Sequence, residues 1–210
     1  VGATMAIYPL DENNEPILGE CFETWVTDGK AHTIYGLEIN QKYLIRETVA
    51  PFDNGYVTAK DTIITVEDSL EPQYVYIEDE FTHIEVNKVD IETKDNLAGA
   101  TLALYPILDN GEVDYGACFE TWLTTDKTHT IDRIPVGKYL LMELSTIDGY
   151  TVAKPMIIEV KDTAETQTFE LSNDFHKIEI SKTNLHTNEY VEGATLAIVP
   201  VEDGEIQYGE

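Results

Sequence analysis

The sequence predicts an all-β protein built from tandem β-sandwich domains. Apolar residues alternate with polar ones along short segments rich in β-branched and aromatic residues, and Gly, Pro, Asp and Asn separate these segments. No segment has the periodicity of an amphipathic helix. Hydrophobic residues make up 42% of the 210-residue chain, which is enough for packed cores.

The chain also repeats itself. "VGATMAIYPL" returns as "AGATLALYPI" and again as "EGATLAIVPV", and "CFETWVTDGKAHTI" returns 97 residues later as "CFETWLTTDKTHTI". We therefore predict a first unit at residues 1–80 that lacks its first strand, a complete unit at 81–175, and the N-terminal strands of a third unit at 176–210. Each complete unit would have its own core, because the period exceeds that of helical and leucine-rich solenoids.

The net charge disfavours two classes of function, nucleic-acid binding and membrane insertion. Lys and Arg total 13 against 40 acidic residues, which gives a net charge of −27. Such a surface repels phosphate backbones and anionic lipids, so we expect neither nucleic-acid binding nor membrane insertion. The sequence has no initiator Met, signal peptide or lipidation motif, so its ends are expected to be processed or to belong to a longer protein.

The strands of the complete unit follow one another along the chain. Period-two alternation predicts them at "HIEVNKVD", "ATLALYPI", "THTIDRI", "KYLLMEL", "MIIEVKD" and "TQTFELSND". Between strands, the acidic segments "LDENNEP", "LDNGEVD" and "VEDGEIQ" fall at one point of the repeat. They lack the ligand spacing of an EF-hand loop, so we predict hairpin turns rather than calcium sites.

Polar residues end the apolar stripes of three strands. In "HIEVNKVD", Ile84, Val86 and Lys88 share one face, so a lysine continues a stripe that two β-branched residues predict to be buried. The same alternation places Glu143 at the end of the stripe in "KYLLMEL" and Asn173 at the end of the stripe in "TFELSND".

The other two units carry parts of this set. In the first unit, Glu47 ends the stripe of "KYLIRE", and Asp79 follows Val75 and Ile77 on one face of "QYVYIED". No lysine strand precedes them. In the third unit, Lys182 of "KIEISKTN" is the counterpart of Lys88, 94 residues later, and its glutamate and acceptor lie beyond the chain end.

Two interpretations of the buried polar set follow from the residues. Since an unpaired buried charge is costly, the set is either a hydrogen-bonded Lys–Glu pair beside an amide or a reactive site. Desolvation lowers the pKa of a lysine and raises that of a glutamate, which favours a nucleophilic amine and a proton-donating acid. The amine would then attack the side-chain carbonyl of Asn173 and expel ammonia.

The units resemble the CnaB-type (prealbumin-like) Ig-like domains of Gram-positive surface adhesins and pilins. The resemblance rests on "VNKVD", "GATLALYP", "TW" with "THTI", "ELSND", and "ETVAPFDNGY" of the first unit. The middle unit has "ELSTIDGY" in place of the last motif and so keeps the glutamate and Gly-Tyr but not the Ala-Pro. In this family the first-strand lysine commonly forms an intramolecular isopeptide bond with an Asn or Asp of the last strand, assisted by the glutamate.

The resemblance implies a role for each residue of the set. Lys88 would be the nucleophile, Asn173 the acceptor and Glu143 the proton shuttle of the middle unit. Glu47 and Asp79 match the shuttle and the acceptor in the first unit. Lys182 matches the nucleophile in the third unit.

Other site types fit the sequence less well. Cys21 and Cys118 are too few for a disulfide framework, and both recur at the same point before "FETW". Pairing Cys118 with His129 would suggest a cysteine protease, but no oriented Cys–His–Asn set is visible, so we predict small, half-buried thiols. The five histidines are not spaced as a metal site, and no cofactor is expected.

Two functions from different classes are consistent with these observations. The first is a structural stalk or fibre module of a bacterial surface protein, which is extracellular, is stiffened by autocatalytic crosslinks and has no enzymatic turnover. The second is an adhesin module that binds a host or matrix protein; the lack of long loops disfavours it.

The expected partners are neighbouring repeats of the same array. The spare lysine strand at the C-terminal end also allows other copies to join head to tail by strand donation. The plain alternative is that the ends mark where a longer array was cut.

Overall fold

The structure, a computed structural model, describes residues 1–207, and its regular elements are almost all strands. The prediction of an all-β fold is confirmed. The strands are β1 (Thr4–Pro9), β2 (Glu23–Val26), β3 (Lys42–Val49), β4 (Thr62–Thr65), β5 (His83–Asp90), β6 (Thr101–Pro106), β7 (Glu120–Leu123), β8 (His129–Asp132), β9 (Gly137–Ser145), β10 (Met156–Val160), β11 (Thr166–Asn173), β12 (Val201–Glu202) and β13 (Glu205–Ile206). Two 3-10 turns lie at Leu18–Glu20 and Phe52–Asn54. No helix within residues 1–207 is long and apolar enough to cross a membrane.

The chain divides into two compact units, Val1–Phe175 and the segment from His176 onward. Within Val1–Phe175, two four-stranded antiparallel sheets have the same strand order, β2-β1-β3-β4 and β7-β6-β9-β10. Both sheets contain a register shift at the start of their second strand, after which Met5 pairs with Glu47 and Leu102 pairs with Glu143. The repeated sequence therefore places both glutamates at the same point of equivalent sheets.

Residues 81–175 add a second sheet of order β11-β5-β8. In this sheet β5 is the central strand, parallel to β11 and antiparallel to β8. One hydrophobic core takes residues from both sheets, among them Ile84 and Leu171 from one and Leu104 and Leu141 from the other. This is the predicted two-sheet sandwich, and alternating residues of β5 are buried in it as the sequence indicated.

Residues 1–80 form only the four-stranded sheet. Residues 31–37 and 73–79, which correspond in sequence to β8 and β11, contain no strand. The physical reason is that both segments would pair with the strand equivalent to β5, and the described chain supplies none there. The predicted buried stripe is accordingly incomplete: Ile77 and Asp79 are half-buried, but Val75 is exposed, so its predicted burial is wrong.

The segment from His176 onward forms one short hairpin, β12–β13. Residues 176–182 and 192–200, the predicted first strands of a third unit, contain no strand and are almost entirely exposed. They pair with no sheet within the described residues, although the Lys182 and Pro200 carbonyls accept backbone hydrogen bonds from Val191 and Gln207. The predicted hairpin turns are confirmed by this hairpin and by the bridges Leu10–Pro16 and Ile107–Val113.

A tight seam joins residues 1–80 to residues 81–175. The guanidinium of Arg133 lies 3.6 Å from the ring centre of Phe81 and 5.3 Å from that of Tyr56. Next to it, the Thr82 hydroxyl donates a hydrogen bond to the Ile134 carbonyl at 2.6 Å, and the Thr82 N–H donates to the Gly55 carbonyl at 3.0 Å. The contacts that cross the seam are the cation–π contact with Tyr56 and the hydrogen bond to Gly55, and they stabilise one arrangement of the two parts.

Gly55 allows the seam to close. Its φ is +69°, and a Cβ at this position would overlap backbone atoms of Arg133. Gly149, its counterpart in the repeat, has a φ of +87° but open space around it. The two glycines therefore share a backbone requirement and differ in packing.

We expect Gly55→Ala to destabilise the protein more than Gly149→Ala does. The left-handed backbone alone costs about 1–2 kcal/mol in an alanine variant, and only Gly55→Ala adds a backbone clash. Chemical unfolding of both variants measures the difference. Equal losses of stability would show that the seam does not require the close approach.

Candidate functional site

The sandwich of the middle unit brings Lys88, Glu143 and Asn173 together. The parallel register of β5 and β11 pairs Lys88 with Leu171 and Asp90 with Asn173, so Lys88 and Asn173 lie on adjacent strands. Glu143 reaches them from β9 in the facing sheet. The three residues are 3%, 4% and 1% exposed, respectively, which confirms that all three polar residues point into the core.

The amine of Lys88 is held against the asparagine. Its Nζ donates hydrogen bonds to Asn173 Oδ1 and, at 3.3 Å, to the Leu171 carbonyl, and it lies 3.9 Å from Glu143 Oε1. Burial lowers the pKa of Lys88 to about 8, although the charge of Glu143 acts to raise it. About a tenth of such amines are uncharged at neutral pH. The uncharged amine is the form in which a lysine can act as a nucleophile.

The amide of Asn173 is fixed by contacts on both of its ends. Its oxygen accepts from Lys88, and its nitrogen donates to Glu143 Oε1 and to Thr146 Oγ1, each at 3.0 Å. The amide oxygen therefore faces the amine, and the amide nitrogen faces a carboxyl.

Glu143 is itself held in place. Its Oε2 accepts the N–H of Ala153 at 2.6 Å, which leaves Oε1 to face Asn173 and Lys88. Sequence reasoning missed Ala153 and Thr146. The repeated Ala-Lys after each Gly-Tyr was an available signal for Ala153, because Ala59 occupies the same place in the first unit.

No repeat signal was available for Thr146, because Ala50 occupies its place, three residues after the glutamate, in the first unit. The difference between Thr146 and Ala50 parallels the difference between the predicted acceptors, Asn173 and Asp79. Asn173 has two N–H groups to satisfy, whereas an ionised Asp79 has none. A hydroxyl is therefore needed only where the acceptor is an amide.

The first unit holds the carboxyl half of the site. Glu47 is 3% exposed, and its Oε2 accepts the N–H of Ala59 at 2.6 Å, whereas Oε1 has no hydrogen-bond partner. Burial raises the pKa of Glu47, and the charges of Asp79 and Asp162 raise it further. Burial also raises the pKa of Asp79. Among residues 1–207, no lysine is hydrogen-bonded to either carboxyl.

Lys182 lies in the segment from His176 onward, where it is exposed and belongs to no strand. The structure thus assembles the three predicted residues of the middle unit and brings Asp79 close enough to Glu47 for its charge to raise the pKa of Glu47, while Lys182 stays in solvent.

The cysteines are exposed, so the predicted half-buried thiols are wrong. Each cysteine lies just before an edge strand, β2 or β7, where one side faces solvent. The Cys118 thiol contacts Thr121 Oγ1 at 3.2 Å, and His129 instead bonds to Glu120 and stacks on Trp122. These contacts form no Cys–His dyad. Across residues 1–207, no group of His, Cys, Asp and Glu is arranged to hold a metal ion.

One family model matches the middle unit of the chain. Residues 82–174 match the family model described as the SpaA prealbumin-like fold domain, which confirms the resemblance of this unit to prealbumin-like domains. The match spans less than half of the chain. No curated protein matches.

Solved structures that match the chain include proteins of Bacillus anthracis, Lactobacillus rhamnosus and streptococci. The Bacillus anthracis TIE protein is 24% identical with a TM-score of 0.42, over 82% of this chain and 30% of its own. The shaft pilin SpaA of Lactobacillus rhamnosus GG is 18% identical with a TM-score of 0.36, over 85% and 89%. A streptococcal ancillary pilin is 15% identical with a TM-score of 0.45, over 98% and 73%. The chain thus spans about a third of the TIE protein.

The raised pKa of Glu47 gives a testable pH dependence. Because the folded pKa lies above the ordinary value of 4.5, the folded state binds more protons than the unfolded state above that pH. The contribution of this group is therefore most favourable at acid pH and is lost as pH rises through the folded pKa. We expect Glu47→Gln to reduce the loss of first-unit stability between about pH 4.5 and pH 7.

Urea unfolding of the Trp122→Phe chain measures this effect, because Trp25 then remains as the reporter of the first unit. Glu12→Gln is the control, since it makes the same charge change at an exposed position. If first-unit stability depended on pH equally with and without Glu47→Gln, the raised pKa of Glu47 would be contradicted.

Proposed function

We propose that this chain is a structural module of a bacterial surface fibre, either an adhesin stalk or a pilus-like shaft, stiffened by a Lys88–Asn173 isopeptide bond. The observation that carries the proposal is the buried contact of Lys88 with Asn173, with Glu143 beside both. In this proposal the units at residues 1–80, 81–175 and 176–210 are consecutive repeats of an extracellular array. The chain catalyses no turnover, because the lysine is consumed in the reaction.

The chemistry uses only groups of the site. Lys88 first gives up its extra proton, and Glu143, 3.9 Å away, is placed to accept it. The uncharged Nζ attacks Asn173 Cγ, and a C–N bond forms. Protonated Glu143 then donates to Asn173 Nδ2, with which it already shares a hydrogen bond at 3.0 Å, and the C–Nδ2 bond breaks.

The products are a side-chain amide and ammonia. The second proton that Nζ loses passes to the Glu143 carboxylate, so one N–H remains on the amide nitrogen and the site is left without charge. Afterwards no lysine charge remains buried. The reaction thus removes the desolvation penalty that makes the unreacted site costly.

The bond would alter the mechanics of the unit. It links strands 85 residues apart, near the C-terminal end of two adjacent parallel strands. Tension that enters β5 at His83 and leaves from Asn173 would cross at Lys88, so residues 89–172 would carry little of it. Closing a loop of this length also removes entropy from the unfolded chain, worth about 4 kcal/mol by analogy with disulfides.

The intact mass of the folded chain tests the bond directly. We expect it to be lower than the sequence mass by one ammonia, and protease digestion should yield one peptide that contains both Lys88 and Asn173. Glu143→Ala should restore the full mass without unfolding the protein, and Asn173→Asp should lose water in place of ammonia. A folded chain at the full sequence mass would overturn the bond and leave a buried ion pair.

The thermal stability of the double variant Lys88→Met/Glu143→Leu distinguishes the two interpretations by its sign. If the bond exists, the variant loses about 4 kcal/mol, or on the order of 20 °C in melting temperature. If Lys88 and Glu143 form only a buried ion pair, replacing both partners with apolar side chains is neutral or stabilising, because no unpaired charge is left in the core. Lys94→Met/Glu170→Leu is the matched control, because Lys94 and Glu170 form an exposed salt bridge that contributes little. Trp122 fluorescence in a Trp25→Phe chain reports the transition.

A further inference from the structure

We propose that Thr146 is a positioning residue that selects the acceptor of the middle unit: its hydroxyl favours reaction of an asparagine at position 173 and disfavours reaction of an aspartate there. This inference rests on the proposed Lys88–Asn173 bond. It goes beyond that bond because it assigns the choice between an amide and a carboxyl acceptor to one residue of the loop after β9.

The Thr146 hydroxyl contacts the end of Asn173 that would leave as ammonia. Thr146 lies three residues after Glu143, and Asn173 Nδ2 donates one hydrogen bond to each of them, to Thr146 Oγ1 and to Glu143 Oε1, both at 3.0 Å. An amide nitrogen has two N–H groups, so these two acceptors satisfy it completely. Asn173 is 1% exposed, which shields this arrangement from bulk water.

The proton of the Thr146 hydroxyl is directed away from Asn173. Thr146 Oγ1 donates to the Thr151 carbonyl at 3.4 Å, which leaves its lone pairs for the amide. Thr151 is in turn fixed to the residue after the acceptor, because its N–H and its hydroxyl donate to the Asp174 carbonyl at 2.8 and 3.1 Å. The loop is therefore tied to the end of β11, and it presents the hydroxyl to Asn173 as an acceptor.

The same loop is also tied to β5. The Tyr150 hydroxyl donates to Asp90 Oδ2 at 3.0 Å, and Asp90 is 3% exposed. Asp90 lies two residues after Lys88 and pairs with Asn173 in the parallel register. The loop is thus held against both strands that carry the reacting residues, so the position of Thr146 Oγ1 is fixed relative to Asn173.

The orientation of the amide depends on these contacts. A charged lysine amine only donates and a carboxylate only accepts, so Lys88 and Glu143 place the amide oxygen toward the amine and the nitrogen toward the carboxyl. Without the Thr146 hydroxyl, the second N–H would be buried without a partner, which is costly and favours other side-chain rotamers of Asn173. A smaller fraction of chains would then hold the amide between Lys88 and Glu143, and the rate of bond formation would fall with that fraction.

Thr146 keeps its proton throughout the reaction. As Lys88 Nζ bonds to Asn173 Cγ and the C–Nδ2 bond breaks, the leaving nitrogen retains the N–H that it donates to Thr146 and takes its third proton from Glu143. The hydroxyl therefore exchanges no atom and no charge with the reacting groups. It acts by position alone.

The same hydroxyl has the opposite effect on a carboxyl acceptor. A carboxylate has no proton to donate to Thr146 Oγ1, and the hydroxyl can rotate to donate to the carboxylate. A hydrogen bond of this kind stabilises the ionised form, whereas the loss of water requires the protonated acid. The first unit has the matching combination, since buried Ala50 lies at the position of Thr146 and Asp79 lies at the position of Asn173.

The time course of mass loss in the 210-residue chain, made by cell-free translation and followed after synthesis is stopped, tests the proposal. We expect Thr146→Val to lose ammonia roughly 2- to 10-fold more slowly than the unaltered chain, the factor that one neutral hydrogen bond supports. Thr146→Ser should restore the rate because it restores the hydroxyl. Ser145→Ala is the matched control, since the hydroxyl of this adjacent residue bonds to Thr101.

The Asn173→Asp chain should respond with the opposite sign. In that chain we expect Thr146→Val to accelerate the loss of water, because the hydroxyl that stabilises the unreactive carboxylate is gone. A general disturbance of the loop would slow both reactions, so this change of sign is a result that a merely structural role of Thr146 does not produce. Only protease-resistant, folded chains are scored, and Thr146→Ala, which reproduces Ala50, replaces Thr146→Val if the latter does not fold.

Two results would overturn the assignment of Thr146 alone: ammonia loss at the same rate with and without the hydroxyl, or slowing of both ammonia and water loss by the same substitution. A folded, unaltered chain that keeps its full sequence mass would overturn the Lys88–Asn173 bond itself, and the role of Thr146 with it. The unaltered chain therefore separates failure of the proposed bond from failure of the positioning role.

Discussion

The pairing of β5 with two neighbours is the interaction on which the second sheet depends. β5 is hydrogen-bonded to β11 on one side and to β8 on the other, and it supplies Ile84 and Val86 to the core between the sheets. Where its counterpart is missing, in residues 1–80, the first sheet still forms but its would-be partners contain no strand. The four-stranded sheet is thus independent of β5, whereas the three-stranded sheet exists only through it.

β5 also contains the buried amine of Lys88, whose removal from water is energetically costly. Placing Lys88 at the end of an apolar stripe buries an amine whose only compensation comes from one carboxyl, one amide and one backbone carbonyl. A network of this kind stabilises one arrangement of the strands only when every member has a partner. Asn173 and Thr146 illustrate this demand, because the second N–H of the amide is matched by a hydroxyl that the first unit, with Asp79, does without.

Period-two alternation was sufficient to predict most of the fold and the three-residue site of the middle unit. It correctly predicted the burial of Lys88, Glu143 and Asn173, because each follows apolar residues on a strand that is paired in the structure. It was wrong for Val75 and did not foresee the unpaired segments, since alternation describes the faces of a strand and not whether a neighbour is present to pair with it. Ala153 and Thr146 were missed because they act from loops, where no periodicity exists.

The seam between residues 1–80 and 81–175 has a consequence for how such a protein evolves. Its aromatic pair, Tyr56 with Phe81 at 5.0 Å, recurs as Tyr150 with Phe175 at 4.5 Å. This aromatic pair is therefore encoded within the repeat, whereas Thr82 of the same seam has His176 as its counterpart. Duplication of the repeat would copy the aromatic part of the boundary with each unit, and the hydrogen bonds beside it would have to be selected separately.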